Sequence, residues 1–185
     1  HALRNNGMGF CLFGNVAIGA YYARRRHGLE RVLIVDWDVH HGNGTEALVL
    51  PDRNIHFVSM HQWPWYPGTG SAADRGNDNV WNVPMRAGLP AQSYVDALLA
   101  AVDSATAGFV PDIVLISSGF DSMLGDPLGG FTLEPGDFAL LTRELCSRAD
   151  TWCSGRVVSS LEGGYNTDRL GVAAVAHMRA LAGLA

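Results

Sequence analysis

Three polar residues at alternating positions, Asp36, Asp38 and His40, lie at the end of the apolar run Val32–Val35. In an extended chain alternate side chains share one face, so Asp38 and His40 can reach a common point. Carboxylate oxygen and imidazole nitrogen suit zinc, and a catalytic zinc site takes three protein ligands and keeps one position open. Asp121 ends the segment Ser118-Gly119-Phe120-Asp121 behind a second apolar run, Ile113–Ile116, and is the candidate third ligand. Tyr165 follows Gly163 and Gly164 behind a third run that begins at Val157. Two glycines permit a tight turn, and a phenol projected from it can donate to an oxyanion. The plainer alternative for Tyr165 is a core aromatic within that turn.

The elements that must position these residues follow from the alternation of β-branched runs with helical stretches. That pattern predicts a mainly parallel sheet in an α/β fold, covered by helices. Strands are expected over Arg31–Asp36, Ile55–Met60, Val80–Pro84, Ile113–Ser117 and Val157–Leu161. Helices are expected over Leu12–His27, Thr45–Leu50, Ser93–Gly108, Gly136–Ser154 and Asp168–Leu184, the first stopped by Gly28. In open α/β sheets ligands sit beyond the carboxyl ends of the strands, which is where the three motifs fall. The stretch from His61 to Asn79 is rich in Gly, Pro, Trp and Asn, too long for a mere connection and too aromatic for disorder.

Two other interpretations of the first motif have to be weighed. Asp38 and His40 could be a hydrogen-bonded pair capping the next helix, although two carboxylates beside two histidines make an odd cap. Gly42-Asn-Gly44-Thr-Glu-Ala47 also matches the glycine fingerprint of a dinucleotide site. Against that, the strand ends in Asp and His, and the next strand lacks an acidic residue to hold a ribose hydroxyl.

Composition sets the outer bounds. The 185 residues are 48% hydrophobic and 17% charged, which suits one globular domain with a sizeable core. A net charge of −5 argues against direct nucleic-acid binding, and Arg24, Arg25 and Arg26 fit the cationic end of a helix. Apolar runs are of strand length, so no membrane partner is expected. Three cysteines without a CxxC pair suit neither a disulfide framework nor a zinc finger and are compatible with a reducing cytoplasm. The chain opens on His1 rather than Met, as expected of a single domain over 1–185 that lacks its N-terminal part, whereas its last helix looks near a natural end.

Six ordered motifs carry a family resemblance. They are Gly9-Phe10-Cys11, the block from Asp36 to Thr45, Tyr66-Pro-Gly-Thr-Gly70, Ser118-Gly-Phe-Asp121, Gly125-Asp-Pro127 and Leu161-Glu-Gly-Gly-Tyr165-Asn166. Together they resemble the superfamily of histone deacetylases, acetylpolyamine amidohydrolases and acetoin-utilization proteins, in its class II or bacterial form.

The resemblance implies an arginase-like three-layer α/β/α fold and a zinc held by Asp38, His40 and Asp121. It implies that Tyr165 stabilises the oxyanion and that His1 is the general base and acid, oriented by Asn43. Asp36 is then the partner of a further histidine that would precede His1. Gly9, Phe10 and Tyr66 would flank a channel for an aliphatic side chain, with Leu128 at its rim. A structural potassium is implied beside the zinc, held by Asp36, the carbonyls of Asp38 and His40, and Ser59 with Met60. The implied substrate is an acetylated lysine or small amine. The competing function is a catalytically impaired member that binds acyl-lysine or serves as a scaffold; an arginase-type two-metal hydrolase is disfavoured by the tyrosine motif. His41 and His61 are expected to brace loops, and His27, His56 and His177 to be surface or packing residues. Trp63 and Trp65 suit either a pocket rim or an oligomer interface.

Overall fold

A computed structural model describes residues 1–184. Five strands, β1 (Val32–Asp36), β2 (Ile55–Gln62), β3 (Val80–Met85), β4 (Ile113–Ser118) and β5 (Val157–Leu161), form one sheet in the order β3-β2-β1-β4-β5. Every pairing is parallel. Between them run α1 (Asn15–His27), α2 (Asn43–Val49), α3 (Ala91–Thr106), α4 (Pro135–Cys153) and α5 (Thr167–Leu181).

Central β1 and β4 are buried along their whole length, as expected for parallel strands covered on both faces. The two-residue side-chain period then sorts the core into two halves. Leu33 and Val35 of β1 join Leu98 of α3 and Leu141 and Leu145 of α4 in one cluster. Val32 and Ile34 join Val16, Ala17 and Ala20 of α1 in the other. The chain thus stacks in three layers, helices on both faces of the sheet, as expected. Outer β5 differs: Val158 and Leu161 are exposed.

Element ends follow local chemistry. Gly28 in the left-handed conformation ends α1, and Glu134 with Asp137 forms a capping box ahead of α4. Arg24 in the last turn of α1 is paired with Asp52 and Glu30 and so ties this helix to neighbouring loops. The first helix begins at Asn15 rather than Leu12. Ahead of it, Gly9 and Phe10 both take positive φ, and Leu12 and Phe13 are exposed. Their apolar character therefore does not mark a core-facing helical turn. Among the described residues no helix is long and apolar enough to cross a membrane.

Candidate metal centre and channel

The parallel register brings the polar strand ends to one edge: Asp36 of β1 lies beside Ser59 of β2 and Ser117 of β4. Asp38 and His40 leave the end of β1, Asp121 follows β4, and Tyr165 follows β5. The ligand-type atoms of Asp38, His40 and Asp121 all lie within 4.8 Å of one another. His40 Nδ1 is 3.1 Å from Asp38 Oδ1 and 3.0 Å from Asp121 Oδ2. Asp121 is fully buried and the other two nearly so.

Backbone amides aim the two carboxylates. Val39 N–H donates to Asp121 Oδ1 at 2.8 Å, and Gly163 N–H donates to Asp38 Oδ2 at 2.9 Å. Asp38 N–H in turn donates to Asp36 Oδ1 at 3.0 Å.

The electrostatics call for a cation. Burial, reinforced by the Asp38 charge, pushes the Asp121 carboxyl up to about 8. Burial and Asp38 likewise raise Asp36 well above the usual carboxylate range. For His40, burial favours the neutral ring, but hydrogen bonds and charge from Asp121 and Asp38 outweigh it and raise the imidazole to about 10. Asp38 is lowered despite its burial, because the His40 ring bonds to it. The cluster thus draws a proton onto His40 to offset its carboxylates, a charge that a metal ion would supply instead. Two carboxylates and one imidazole converging on one point fit a divalent metal of the zinc type.

The remaining predicted residues surround this cluster. His1 Nδ1 lies 2.7 Å from Asn43 Oδ1, with its ring against Gly9 and 6.0 Å from the His40 ring. A carbonyl oxygen only accepts, so Nδ1 carries the proton and the Nε2 lone pair is free. A cleft of about 480 Å³ opens above, lined by His1, Gly9, Phe10, Tyr66, Leu128 and Tyr165 together with His40. The Tyr165 ring stands 6.1 Å from Phe10, and burial with the nearby Asp121 and Asp38 charges raises its phenol. Ser59 Oγ bonds to His61 Nδ1 at 3.2 Å, whereas the Met60 side chain packs in the core and leaves only its backbone for the site.

Three further residues take part, Trp65 at the rim as one of its two expected places and Asp126 and Pro127 from a motif whose individual roles the sequence did not assign. Trp65 and Pro127 also line the cleft, and Trp65 Nε1–H donates to the Leu128 carbonyl at 2.9 Å. Asp126 Oδ2 accepts from the amides of Tyr165 at 2.7 Å and Asn166 at 3.0 Å, which fixes the turn that presents the tyrosine. A lone carboxylate between Gly125 and Pro127 was the available hint. His41 and His61 brace a loop as expected, while His56 and His177 bond to Ala105 O and to Thr142 and Ser159.

Comparison with known proteins gives the chain a family. The histone deacetylase domain model matches residues 1–181, and the chain belongs to that family. It is 46% identical to the uncharacterized protein slr0245 of Synechocystis, covering 98% of this chain and 58% of that one. It is 42% identical to the chloroplastic histone deacetylase 10 of rice, covering 99% of this chain and 42% of the relative. The crystal structure of the HDA15 HD domain superposes with a TM-score of 0.89 at 37% identity, over 99% of this chain and 54% of that one. The chain therefore spans about half the length of the curated relatives it matches.

Proposed function

We propose that the chain carries the metal centre of a zinc-dependent deacetylase that hydrolyses the amide of an acetylated lysine or of a small acetylated amine. The observation that carries this is the convergence of Asp38, His40 and Asp121 at the floor of a cleft walled by Phe10, Tyr66 and Tyr165. Family membership supports the reaction class.

In this proposal Asp38, His40 and Asp121 hold zinc, which supplies a Lewis acid for the carbonyl and for the attacking water. The chain's own groups do the rest. His1, its Nδ1 proton committed to Asn43, offers Nε2 as general base and later returns the proton to the leaving amine. The raised phenol of Tyr165 stays protonated at neutral pH and donates to the carbonyl oxygen as negative charge develops there. The aromatic walls accept the methylene stem of the substrate. Asp36 supports the Asp38 backbone and, with Ser59 and the carbonyls of Asp38, His40 and Met60, would hold a potassium ion. Three free cysteines support a reducing compartment such as the cytoplasm.

Metal analysis combined with an acetyl-lysine peptide assay on the full-length protein tests the proposal. One zinc per chain and acetate release that Asp121→Ala abolishes are expected. No zinc, or full hydrolysis by that variant, overturns it. Comparing kcat/KM across acetylated peptides and acetylpolyamines then separates the substrate classes.

A further inference from the structure

Two histidines outside the metal cluster, His41 and His61, lie buried side by side with ring centroids 4.7 Å apart. Their outward partners are consecutive residues of one loop. His41 Nδ1 is 2.8 Å from the Thr69 hydroxyl, and His61 Nε2 is 2.8 Å from the Gly70 carbonyl. Proton positions follow from what each partner can do. Both His61 nitrogens face carbonyls, Nε2 that of Gly70 at 2.8 Å and Nδ1 that of Ser59 at 3.1 Å. Only Nδ1 also has a hydroxyl, Ser59 Oγ at 3.2 Å, that can donate to it, so Nε2–H donates to Gly70. On its far side His41 Nε2 lies 3.0 Å from Glu46 Oε2, an oxygen that also accepts from Asn82 Nδ2 at 2.8 Å. Burial alone would raise Glu46, but the bonds from His41 and Asn82 win and hold it below its ordinary value. The carboxylate is therefore ionised and only accepts, so His41 Nε2 carries a hydrogen towards it, while Nδ1 shares a hydrogen bond with the Thr69 hydroxyl.

This chain of bonds ends at an exposed residue, whereas a histidine that merely filled the core would have no use for one. Thr69 and Gly70 follow shortly after Tyr66, whose ring stands 5.3 Å from that of His1 and 6.0 Å from that of His40. On the other side of Tyr66, Trp65 is tied to Leu128 across the cleft. The Tyr66 wall is thus pinned at both ends. Gly70 has a φ of +93°, and a Cβ there would overlap both imidazoles, so the loop can lie down on the histidines only with glycine at this point.

We propose that His41 is a positioning residue for substrate: through the Thr69 hydroxyl it holds the Tyr66 wall of the channel at the width that grips a linear aliphatic stem. This rests on the deacetylase function proposed above. Thr69→Val is the informative variant, because it removes the hydroxyl at the surface and leaves the buried Glu46–His41 pair intact. Its expected effect is a KM for an acetyl-lysine peptide raised about five-fold, the worth of one neutral hydrogen bond. Turnover and metal content stay unchanged, and Thr69→Ser restores KM.

Hydrogen exchange of the backbone amides over residues 63–70, measured without substrate, is the second arm. Faster exchange in Thr69→Val than in the wild type is expected, whether or not the protein proves to be a deacetylase. A wild type without activity would overturn the proposed function and leave the clamp to be judged by exchange. Unchanged exchange overturns the clamp. So, in an active enzyme, does an unchanged KM or a loss confined to kcat or metal content.

Discussion

The backbone of Gly163 lies against both carboxylates of the proposed metal site: its N–H donates to Asp38 Oδ2 at 2.9 Å, and a Cβ on its α-carbon would overlap Asp121 Oδ2 and crowd Asp38 Oδ2 at 2.7 Å. The turn after β5 is therefore part of the mould that sets Asp38 and Asp121, the candidate ligands beyond the ends of β1 and β4. Gly163→Ala must push one carboxylate aside. Metal affinity is expected to fall about 10–100-fold, the range for disturbed ligand support. Competition with a metal chelator measures it, and an affinity equal to that of the wild type would show that the carboxylates move without penalty.

Tyr165→Phe isolates the phenol. The turn is held by Asp126 through backbone amides, so the ring stays in place when the hydroxyl is removed. Turnover is expected to fall about 10²–10³-fold, as for loss of one oxyanion donor, with zinc content and KM little changed. Steady-state kinetics beside metal analysis checks this. Metal lost together with turnover would mean that the hydroxyl serves the zinc site instead.

The convergence of Asp38, His40 and Asp121 was legible in the sequence because strand alternation and strand-end placement are local rules that survive into the fold. The ten elements were legible for the same reason. Leu12 and Phe13 were misleading: periodicity registers apolar residues without knowing which of them face solvent. Trp65 was foreseen as a rim residue and Asp126 and Thr69 lay within motifs, but their partners, Leu128, Tyr165 and His41, were not legible, being distant in the chain and reached through loops that carry no period. Loop geometry depends on tertiary packing, and only the folded chain shows which side chain meets which backbone group. The breadth of the cleft's aromatic wall belongs to the same class of facts.

Asn43→Ala tests the orientation of His1. Without the Oδ1 acceptor the imidazole is free to exchange tautomers and to rotate off the cleft. Turnover is expected to drop on the order of tenfold, a part of what a general base contributes. Nitrogen chemical shifts of the His1 ring should report the Nδ1-protonated form in the wild type and a mixture in the variant. A wild type protonated on Nε2 alone would contradict the assigned role.

His177, packed against the rings of Trp37 and Phe120, sets a pH dependence of stability. It is buried between Thr142 Oγ1 at 2.6 Å and Ser159 Oγ at 2.8 Å, and burial pulls its pKa down to about 4. In the unfolded chain a histidine titrates near ~6.5. Above that value neither state binds the proton and the difference vanishes. As pH falls from about 6.5 towards about 4, the unfolded chain takes up a proton that the folded chain refuses, so stability declines through that window. The loss from this one group is up to about 3 kcal/mol. His177→Gln has no such proton to refuse. Denaturant unfolding of both proteins at pH values across the window should give a shallower decline for the variant, with the carboxylates common to both cancelling in the comparison. Parallel curves would mean that His177 binds its proton in the folded state as readily as in the unfolded one.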